Sequence, residues 1–525
     1  MTDRPRIAGG VATAVLLLAA SACVNKAEPT SDAEPEVGSD PTAQEFVTRP
    51  DLVAPEIDFA GEDPAEATGA PSGDLVFLAP KDGSGPMRGP VILDSAGEPV
   101  WISPVGDRWA YDFRVQQYQG KPVLTQWRGR HTAGGYGYGE YVLMDRSYRE
   151  VATTTTPGLH ADFHNGTLTS HGTALMTSFP IIKRDLTSIG GPENGYVANC
   201  VVQEVDIKTG KVVFEWSAID DVPLSETWAD PEDNPEEPGT KQAPLDPYHV
   251  NSVYEDGKNG LLVSARNTSA VYRIDQKSGD LDWTLGGTGS DFEMQGNSEF
   301  AYQHDAQRQP DGTITLFDNE SSPPVGDQSR GLRLAVDEKD HTAKVVRQYL
   351  PPEDRLSSSQ GNMQVRANGN VVIGWGSELY YSEYTPDGKL LTDASVDGQS
   401  YRVYRFPWHA EPTEPPKFVY QDGAGYVSWN GSTEVDSWRF IAGTDEQSAK
   451  EVETVPRDGF ETSLTMPDRP YIAAQALDKA GNVLATAEPG AWPIGMVEYP
   501  DKRQPDTQGK DEKGTDKQDS AQDSD

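Results

Sequence analysis

The chain is 525 residues long and carries 44 lysines and arginines against 83 aspartates and glutamates, a formal net charge of −39. This acidity argues against a nucleic-acid partner, because phosphate backbones bind positively charged surfaces. The 51 glycines and 40 prolines favour frequent turns over long helices. The length exceeds that of one ordinary domain, so we expect more than one.

Residues 1–22 predict a signal peptide for export. A short basic stretch precedes an apolar run at residues 11–20, which has the length of a signal-peptide core and is too short to span a membrane. Small residues then precede Cys23, as in bacterial lipoprotein cleavage sites, although Ala20 stands where those sites usually carry leucine. We therefore expect lipidation of Cys23 and a protein anchored by this lipid alone at the extracellular face of the cell membrane. Ordinary cleavage just before Cys23 is the alternative.

Composition also predicts the segments that flank the folded region. Residues 23–50 are rich in Pro, Glu, Asp and Ser and predict a flexible, lipid-anchored linker, and residues 493–525 predict a disordered charged tail. Cys200 lies in an apolar stretch and is predicted to be a small buried residue, not a reactive thiol. If Cys23 is lipidated, no intrachain disulfide forms, and two cysteines exclude a cysteine zinc cluster.

A repeated pair of hairpin signals runs through residues 51–410. The first signal joins two apolar strands through a polar turn, at residues 92–101, 144–151, 205–216, 274–283, 336–345 and 384–390. The second is a glycine turn that leads into an apolar strand, at Gly120, Gly172, Gly260, Gly312 and Gly369. Two such signals make a four-stranded antiparallel unit, and six units that each need a neighbour on both sides predict a six-bladed β-propeller.

The ends of this repeat and the segment after it complete the predicted architecture. We expect the ring to close by pairing an early strand at residues 75–78 with a late strand at residues 401–406. A pair of long β-sandwiches is the rival architecture for this region. After a proline-rich break, residues 411–492 alternate like a small immunoglobulin or fibronectin type III sandwich with a structural or adhesive role. The predicted fold class is all-β, a six-bladed β-propeller followed by that sandwich.

Three of the eight histidines, His164, His249 and His304, occupy the same point of the repeat, at the start of the strand that leads into the glycine turn. The first strands of propeller blades line the central channel, so we expect these imidazoles to share one cavity. A channel histidine satisfied by backbone or water is the alternative for each one, but three in register favour a functional site. The remaining histidines are expected in loops or on the surface: His131, His160, His171, His341 and His409.

Two neighbours of these histidines suggest which ligand they bind. Asn251 lies two residues after His249, and Arg266 follows the next strand. Imidazoles combined with an amide and a guanidinium suit a tetrahedral anion, because arginine supplies a fixed charge and several donors. Asp305 is a candidate to orient the ring of His304, unless strand alternation turns it to the opposite face. A divalent metal held by three histidines is the alternative, disfavoured by the nearby arginine. We expect neither a metal nor a cofactor.

Short motifs around these residues carry a family resemblance. They include Asp-Phe-His at 162–164, Tyr-His-Val-Asn-Ser-Val at 248–253 and Tyr-Gln-His-Asp-Ala at 302–306. Further motifs lie at residues 172–177, 264–275, 283–287, 316–319, 360–364 and 374–376. Each motif is weak alone, but in order they cover most of residues 45–410 and together resemble the bacterial arylsulfotransferase family, in its secreted and lipoprotein branch.

The resemblance implies a six-bladed propeller that moves a sulfuryl group from an aryl sulfate donor to a phenolic acceptor without a nucleotide sulfate donor. It implies that His304 becomes sulfated and that His164, His249, Asn251 and Arg266 hold the sulfuryl oxygens. The residues suit this chemistry, because a neutral histidine can be the nucleophile of a two-step, ping-pong transfer. His249 or His164 can protonate the leaving phenolate and later deprotonate the acceptor.

Some alternatives stay open at this point. The Gly- and Tyr-rich stretch at residues 134–141 either borders an aromatic substrate or is a blade turn. A non-catalytic cell-surface β-propeller with a binding or adhesion role is the alternative function, and a metal-dependent, lactonase-like propeller is a third. The sequence names neither the natural donor and acceptor nor the oligomeric state.

Overall fold

A computed structural model describes most of the chain, namely residues 44–60, 74–81, 88–132, 134–229 and 239–489. The predicted signal peptide, Cys23, most of the linker and the tail at residues 493–525 lie outside the described residues. The described part is almost entirely strands and turns, with one short α-helix, α1 (Ala218–Asp221). No helix within these ranges has the length and hydrophobicity needed to cross a membrane.

The N-terminal strands pair with several later parts of the chain. In order they are β1 (Gln44–Glu45), β2 (Val53–Ala54), β3 (Ile57–Phe59), β4 (Asp74–Leu78), β5 (Pro80–Lys81), β6 (Val91–Leu93) and β7 (Pro99–Ile102). β1 pairs with β2, and β4, β6 and β7 form one antiparallel series.

Five further sheets follow one another along the chain, each built around a series of four antiparallel strands. Sheet 1 contains β8 (Trp109–Tyr118), β9 (Lys121–His131), β10 (Gly137–Met144) and β11 (Glu150–Thr154). Sheet 2 contains β12 (Gly166–Leu168), β13 (Thr173–Ser178), β16 (Val201–Asp206) and β17 (Lys211–Ser217). A separate hairpin of β14 (Ile181–Arg184) and β15 (Gly195–Ala198) is inserted between β13 and β16. Sheet 3 contains β18 (Val250–Glu255), β19 (Gly260–Ala265), β20 (Ala270–Asp275) and β21 (Leu281–Gly286).

Sheets 4 and 5 each gain a fifth strand at the outer edge. Sheet 4 contains β22 (Glu293–Gln295), β23 (His304–Arg308), β24 (Ile314–Asp318), β25 (Arg330–Asp337) and β26 (Thr342–Tyr349). The fifth strand is β22, which pairs in parallel with β26. Sheet 5 contains β27 (Asn362–Val365), β28 (Val371–Gly374), β29 (Tyr380–Tyr384) and β30 (Leu390–Val396), with β3 beside β30. Two short strands follow, β31 (Gln399–Ser400), which pairs with β5, and β32 (Tyr404–Pro407).

The hairpins predicted from the repeat are the hairpins of these sheets. Each polar-turn signal forms the two outermost strands of the four-stranded series, and each glycine turn leads into the second strand. Gly172 and Gly312 have φ of 80° and 85° with open space around the missing side chain. Glycine is therefore required there by backbone conformation, because residues with a Cβ rarely adopt positive φ.

The last sheet joins the two ends of the repeat. β32 pairs with β4 in the register Tyr404↔Phe77, so sheet 6 has the order β32-β4-β6-β7. This is the predicted closing pair. Arg405 of β32 donates to the buried carboxylate of Glu383 at 2.5 Å, which ties the closing strand to sheet 5.

Six hydrophobic clusters in the described part of the chain connect these sheets in a closed cycle. Each cluster draws most of its residues from two consecutive sheets, and the last connects sheet 6 back to sheet 1. Between sheets 4 and 5, for example, Phe317 packs with Ile373 and Trp375. β8, β12, β18, β23 and β27 begin the series of sheets 1–5, and these strands and β32 of sheet 6 line the inner side of the cycle. The all-β, propeller-like class predicted from the sequence is therefore confirmed.

The C-terminal region forms two further sheets around a core of their own. The strands are β33 (Lys417–Gln421), β34 (Ala424–Ser428), β35 (Ser437–Gly443), β36 (Lys450–Pro456), β37 (Glu461–Thr465), β38 (Tyr471–Leu477) and β39 (Val483–Ala487). One sheet has the order β33-β34-β37 and the other β36-β35-β38-β39. Phe418, Val427, Trp438 and Phe440 are buried between them.

The junction between sheet 6 and this region corrects one predicted boundary. Residues 44–50, assigned from composition to the flexible linker, include strand β1, and the Phe46 ring lies 4.3 Å from that of Phe460. The backbone N–H of Thr48 donates to Glu461 at 2.6 Å. Composition missed this segment because a few apolar side chains that dock onto a distant part of the chain leave almost no periodic signal.

Candidate functional site

The three histidines in register lie at the inner ends of their sheets. His164 lies two residues before β12, His249 directly precedes β18 and His304 begins β23. The rings of His164 and His249 are 4.7 Å apart in an edge-to-face arrangement. Asn251, two residues after His249, donates to the carbonyl of Gln303, which directly precedes His304. Arg266 and Asn319, the partner of His304, donate to the adjacent carbonyls of Ser358 and Ser357. The three imidazoles therefore lie near one another on the inner side of the cycle, in a region called the histidine cavity below.

His304 is held by an amide and a backbone N–H. Its Nδ1 lies 2.8 Å from the side-chain oxygen of Asn319, whose own NH₂ donates to the carbonyls of Ser357 and Gln360. The amide orientation is thereby fixed with its oxygen toward the ring, so Nδ1 carries the proton and Nε2 the lone pair. The backbone N–H of Gln360 donates to Nε2 at 3.2 Å.

Burial, and then the positive charge of Arg266, hold the pKa of His304 well below its ordinary 6.5. The imidazole is 1% exposed, and removal of a charged ring from water favours the neutral form. The hydrogen bond that His304 donates to Asn319 opposes this shift only partly. His304 is therefore a neutral base with an available lone pair at neutral pH.

His164 forms a buried pair with a carboxylate. Asp162 Oδ1 accepts from both the backbone N–H and the Nδ1 of His164, the latter at 2.5 Å, and Oδ2 accepts from the Gly137 N–H at 2.6 Å. Burial lowers the pKa of His164, while the charge of Asp162 opposes this change. The pair directs Nε2 of His164 away from the carboxylate and fixes the ring.

His249 repeats this arrangement nearer to solvent. Its backbone N–H and Nδ1 contact the two oxygens of Asp246, at 2.9 Å and 2.5 Å. The side chain of His249 is 16% exposed, against 3% for that of His164. His249 is therefore the member of the histidine pair that a molecule entering from solvent meets first.

Arg266 supplies a positive charge that forms no ion pair with the carboxylates of the described residues. It begins a short turn after β19, and its guanidinium donates to Asn267 and to the backbone carbonyls of Ser322 and Ser358. Among the described residues it forms no salt bridge, although the chain as a whole is strongly acidic. An unneutralised guanidinium beside neutral imidazoles is suited to an anion.

Asn251 and Asp305 support the backbone around His304. The Asn251 side chain donates to the carbonyl of Gln303 at 2.7 Å and accepts from the N–H of Asp305 at 3.4 Å. Asp305 accepts from the Tyr254 hydroxyl at 2.7 Å and forms an ion pair with buried Arg402 at 3.6 Å. The idea that Asp305 orients the ring of His304 is thus wrong, because its side chain points away and Asn319 holds the ring instead.

Aromatic rings surround the two carboxylate-bound histidines. The Phe163 ring stacks 4.2 Å from that of His164, and Phe179 lies 5.5 Å from His164 and 5.8 Å from His249. Tyr136, from the Gly- and Tyr-rich stretch, is buried and stacks on Phe179 at 5.2 Å. A Cβ at Gly135 would lie 3.5 Å from His249, so this stretch borders the cavity.

Several backbone positions around the cavity adopt left-handed conformations without glycine. The φ angles are 49° at His249, 55° at Tyr302, 58° at Asp305 and 68° at Gln360. Such conformations are strained for residues that have a Cβ. Strained backbone conformations concentrate at functional sites, where the surrounding fold enforces them.

Sequence reasoning assigned five side chains to this cavity, but it assigned no role to three others. Asp162 and Asn319 fall inside quoted motifs, and Asp246 lies three residues before His249; their polar side chains next to a histidine were the available signal. The other five histidines are exposed, as predicted, and Cys200 is buried. Within the described ranges no group of three or more His, Cys, Asp or Glu residues could hold a metal ion.

Comparison with known proteins gives one family match. The family model described as Arylsulfotransferase (ASST) matches residues 114–397, more than half of the chain. The comparison with curated proteins finds no match.

Among solved structures, a protein of unknown function from Bacteroides caccae is 12% identical, with a TM-score of 0.38, and the match covers 64% of this chain and 99% of that one. A putative 6-phosphogluconolactonase from Bacteroides fragilis is 11% identical, with a TM-score of 0.34 and coverage of 75% and 98%. Virginiamycin B lyase from Staphylococcus aureus is 11% identical, with a TM-score of 0.29 and coverage of 70% and 91%.

Proposed function

Because the chain belongs to the arylsulfotransferase family, we propose that it transfers a sulfuryl group from an aryl sulfate to a phenol through a covalent intermediate on His304, without a nucleotide sulfate donor. The observation that carries this proposal is the difference between the three histidine partners. His304 is held by an amide, whereas His164 and His249 are held by carboxylates. Burial and the charge of Arg266 keep His304 neutral, and its amide partner brings no negative charge to offset them, whereas a carboxylate stabilises an imidazolium.

In the first step, Nε2 of His304 gives up the hydrogen bond from the Gln360 N–H, and its lone pair attacks the sulfur of the donor. A nitrogen–sulfur bond forms, the sulfur–oxygen bond to the aryl group breaks, and its electron pair leaves with the phenolate oxygen. We assign protonation of that oxygen to His249, because Asp246 stabilises its imidazolium and because it is the more exposed of the pair.

In the second step, the acceptor phenol replaces the donor phenol. Neutral His249 removes the phenolic proton, the phenol oxygen attacks sulfur, and the nitrogen–sulfur bond returns its electron pair to His304. The first phenol leaves before the second enters, so ping-pong kinetics are expected. Arg266, with His164, holds the sulfuryl oxygens, since charge accumulates there in the transition state. Asn251, predicted to bind substrate, also supports this site through its contacts to the backbone beside His304.

The aromatic surroundings favour phenols over aliphatic alcohols as donors and acceptors. Phe163, Phe179 and Tyr136 offer ring faces beside His164 and His249, against which a phenyl ring can stack. A phenolate also leaves more readily than an alkoxide, because a phenol is far more acidic than an alcohol.

The proposal extends to the architecture and location of the chain. The cycle of six sheets supports a six-bladed propeller, and two sheets around one core support an immunoglobulin or fibronectin III-like sandwich after it.

We also propose that Cys23 is lipidated and holds the exported protein at the extracellular face of the cell membrane. A fatty-acid analogue should label the wild type and spare Cys23→Ala; equal labelling of both would refute the anchor.

The decisive experiment follows the intermediate. Purified protein is mixed briefly with a chromogenic aryl sulfate in the absence of acceptor, kept away from acid, and its peptides are analysed by mass spectrometry. We expect a sulfuryl adduct on His304 that disappears on addition of phenol. His304→Ala should lose turnover and the adduct, while His341→Ala, a change at an exposed histidine, should keep both. Full activity of His304→Ala would refute the mechanism.

A further inference from the structure

A row of stacked aromatic rings leads from the histidine cavity toward the surface of sheet 1. Phe163 stacks on His164 at 4.2 Å, and Tyr111 stacks on Phe163 at 4.4 Å with 22° between the rings. The Trp109 ring follows, 6.2 Å from Tyr111 at 18°. Phe163 and Tyr111 are buried, whereas Trp109 is half-buried. The inner rings therefore belong to the core, and the outer end of the row meets solvent.

His131 widens this outer end. Its ring is exposed, stacks 5.3 Å from Phe163 at 23°, and lies 5.9 Å from Trp109. An exposed imidazole and a half-buried indole on one inner row of rings form a platform on which a further aromatic ring can stack.

Two cationic side chains lie on the same row. The Arg88 guanidinium is 4.1 Å from the Trp109 ring, and the Lys81 ammonium is 5.1 Å from the Tyr111 ring. Arg88 is exposed and forms no salt bridge with the described residues. A guanidinium over a ring face keeps its outward N–H groups for another partner, and it attracts anions that the acidic chain repels elsewhere.

This platform adjoins the reacting centre. Lys81 belongs to β5, which pairs with β31 through Gln399. The Gln399 side chain accepts from the Gln360 amide at 3.2 Å, and the Gln360 backbone binds Nε2 of His304. A molecule at His304 therefore approaches the platform only with a part that extends beyond its first ring.

We propose that Lys81, Arg88, Trp109 and His131 form a second binding site for an aromatic anion, and that the substrates are extended aromatic molecules with an anionic group on a ring remote from the reacting sulfate. The assignment as a substrate site rests on the proposed function. The site itself is defined by the rings and charges alone. A simple phenyl sulfate leaves it empty.

The test uses ligands that cannot react. Biphenyl-4,4′-disulfonate and benzenesulfonate carry carbon–sulfur bonds, so neither donates a sulfuryl group, and calorimetry measures their binding whether or not the protein is a sulfotransferase. We expect the disulfonate to bind the wild type more tightly than benzenesulfonate. Arg88→Ala should weaken the disulfonate about fivefold and leave benzenesulfonate unchanged. High salt should reduce the difference between wild type and variant.

Arg347→Ala is the matched control, because Arg347 is an exposed arginine on β26 of sheet 4. It should bind both ligands as the wild type does. Equal disulfonate affinity of the wild type and Arg88→Ala would overturn the proposal. An equal loss for both ligands would also overturn it, because Arg88 would then belong to the pocket that holds the first ring.

Discussion

At the scale of single residues, the three histidines differ in what holds their Nδ1 atoms. Asp162 and Asp246 each stabilise a positive ring, whereas Asn319 cannot carry a charge. The same side chain can therefore take two chemical roles, a neutral nucleophile and a proton carrier, because burial and the neighbouring charges together decide which form is stable.

The role of His249 leads to a prediction about leaving groups. If His249 protonates the departing phenolate, His249→Gln should slow donors with poorly acidic phenols far more than donors with acidic nitrophenols, which need no proton. Asp246→Asn should give the same pattern with a smaller loss. The measurement is the dependence of kcat/KM on the phenol pKa. His164→Gln is the comparison, and a steeper dependence there than in His249→Gln would transfer the role to His164.

The lowered pKa of His304 predicts the pH dependence of the first step. The ring becomes protonated only at a pH below 6.5, because its pKa is lowered. The acid limb of kcat/KM that belongs to His304 should therefore lie below that value. Arg266→Gln removes a charge that lowers this pKa, so the limb should move to higher pH while activity falls. A pH profile of both proteins measures this, and a limb that stays in place would contradict it.

The same shift has a consequence for stability. Between pH 6.5 and the lower pKa of folded His304, this histidine is protonated in the unfolded chain and neutral in the folded chain. The free energy of unfolding therefore falls as the pH falls through this range, with the contribution fully present above pH 6.5.

At the scale of elements, the closing strand β32 contributes a buried charge to the packing between sheets 5 and 6. Arg405 and Arg366 both bind the carboxylate of Glu383, which is fully buried. Arg366 also pairs with Asp74 on β4, so the cluster connects sheet 5 to both halves of sheet 6. Such a cluster stabilises closure only while every member keeps its partners.

Removal of one member should therefore be costly. Arg405→Met should lower the free energy of unfolding by about 3 kcal/mol, because it leaves part of a buried carboxylate charge uncompensated. Arg439→Met, which removes a partly exposed pair with Glu451, should cost at most about 1 kcal/mol. Urea unfolding of the two variants measures the difference. Similar losses would mean that the cluster does not hold the closing strand.

At the scale of the whole molecule, the C-terminal sheets are fixed to sheet 6. The Asn430 side chain accepts from the N–H of Ile102 and donates to its carbonyl, both at 2.9 Å, in the manner of a neighbouring strand. Gly431 packs against Tyr148, and a Cβ there would clash with that ring at 2.4 Å. The edge strand β7 is thereby covered, which protects it from pairing with other chains.

Asn430→Ala should uncover this edge. Two hydrogen bonds are lost, so local opening should become easier by about 1–3 kcal/mol, and the Ile102 amide should exchange its hydrogen faster. The catalytic rate should not change, because Asn430 lies outside the histidine cavity. Asn482→Ala, in an exposed hairpin turn, is the control. Unchanged exchange at Ile102 would show that the junction does not depend on this side chain.

The repeat could be predicted from the sequence because it is local. Strand alternation, the glycine turns at Gly172 and Gly312, and the closing pair of β4 and β32 follow from patterns within a few residues and from counting them. The register of His164, His249 and His304 follows from the same count. Local patterns survive in a sequence because each strand and turn obeys its own steric and hydrophobic rules.

Other features depended on the tertiary structure because they join residues that are far apart in the chain. Asn319 holds His304, Arg88 covers Trp109, and Phe46 packs on Phe460, and no local pattern connects the members of these pairs. The sequence by itself thus determined the strands, the turns and which histidines share a register. Only the folded chain decided which carboxylate or amide each histidine meets, because a side chain's partner depends on how separate sheets pack around the centre of the cycle.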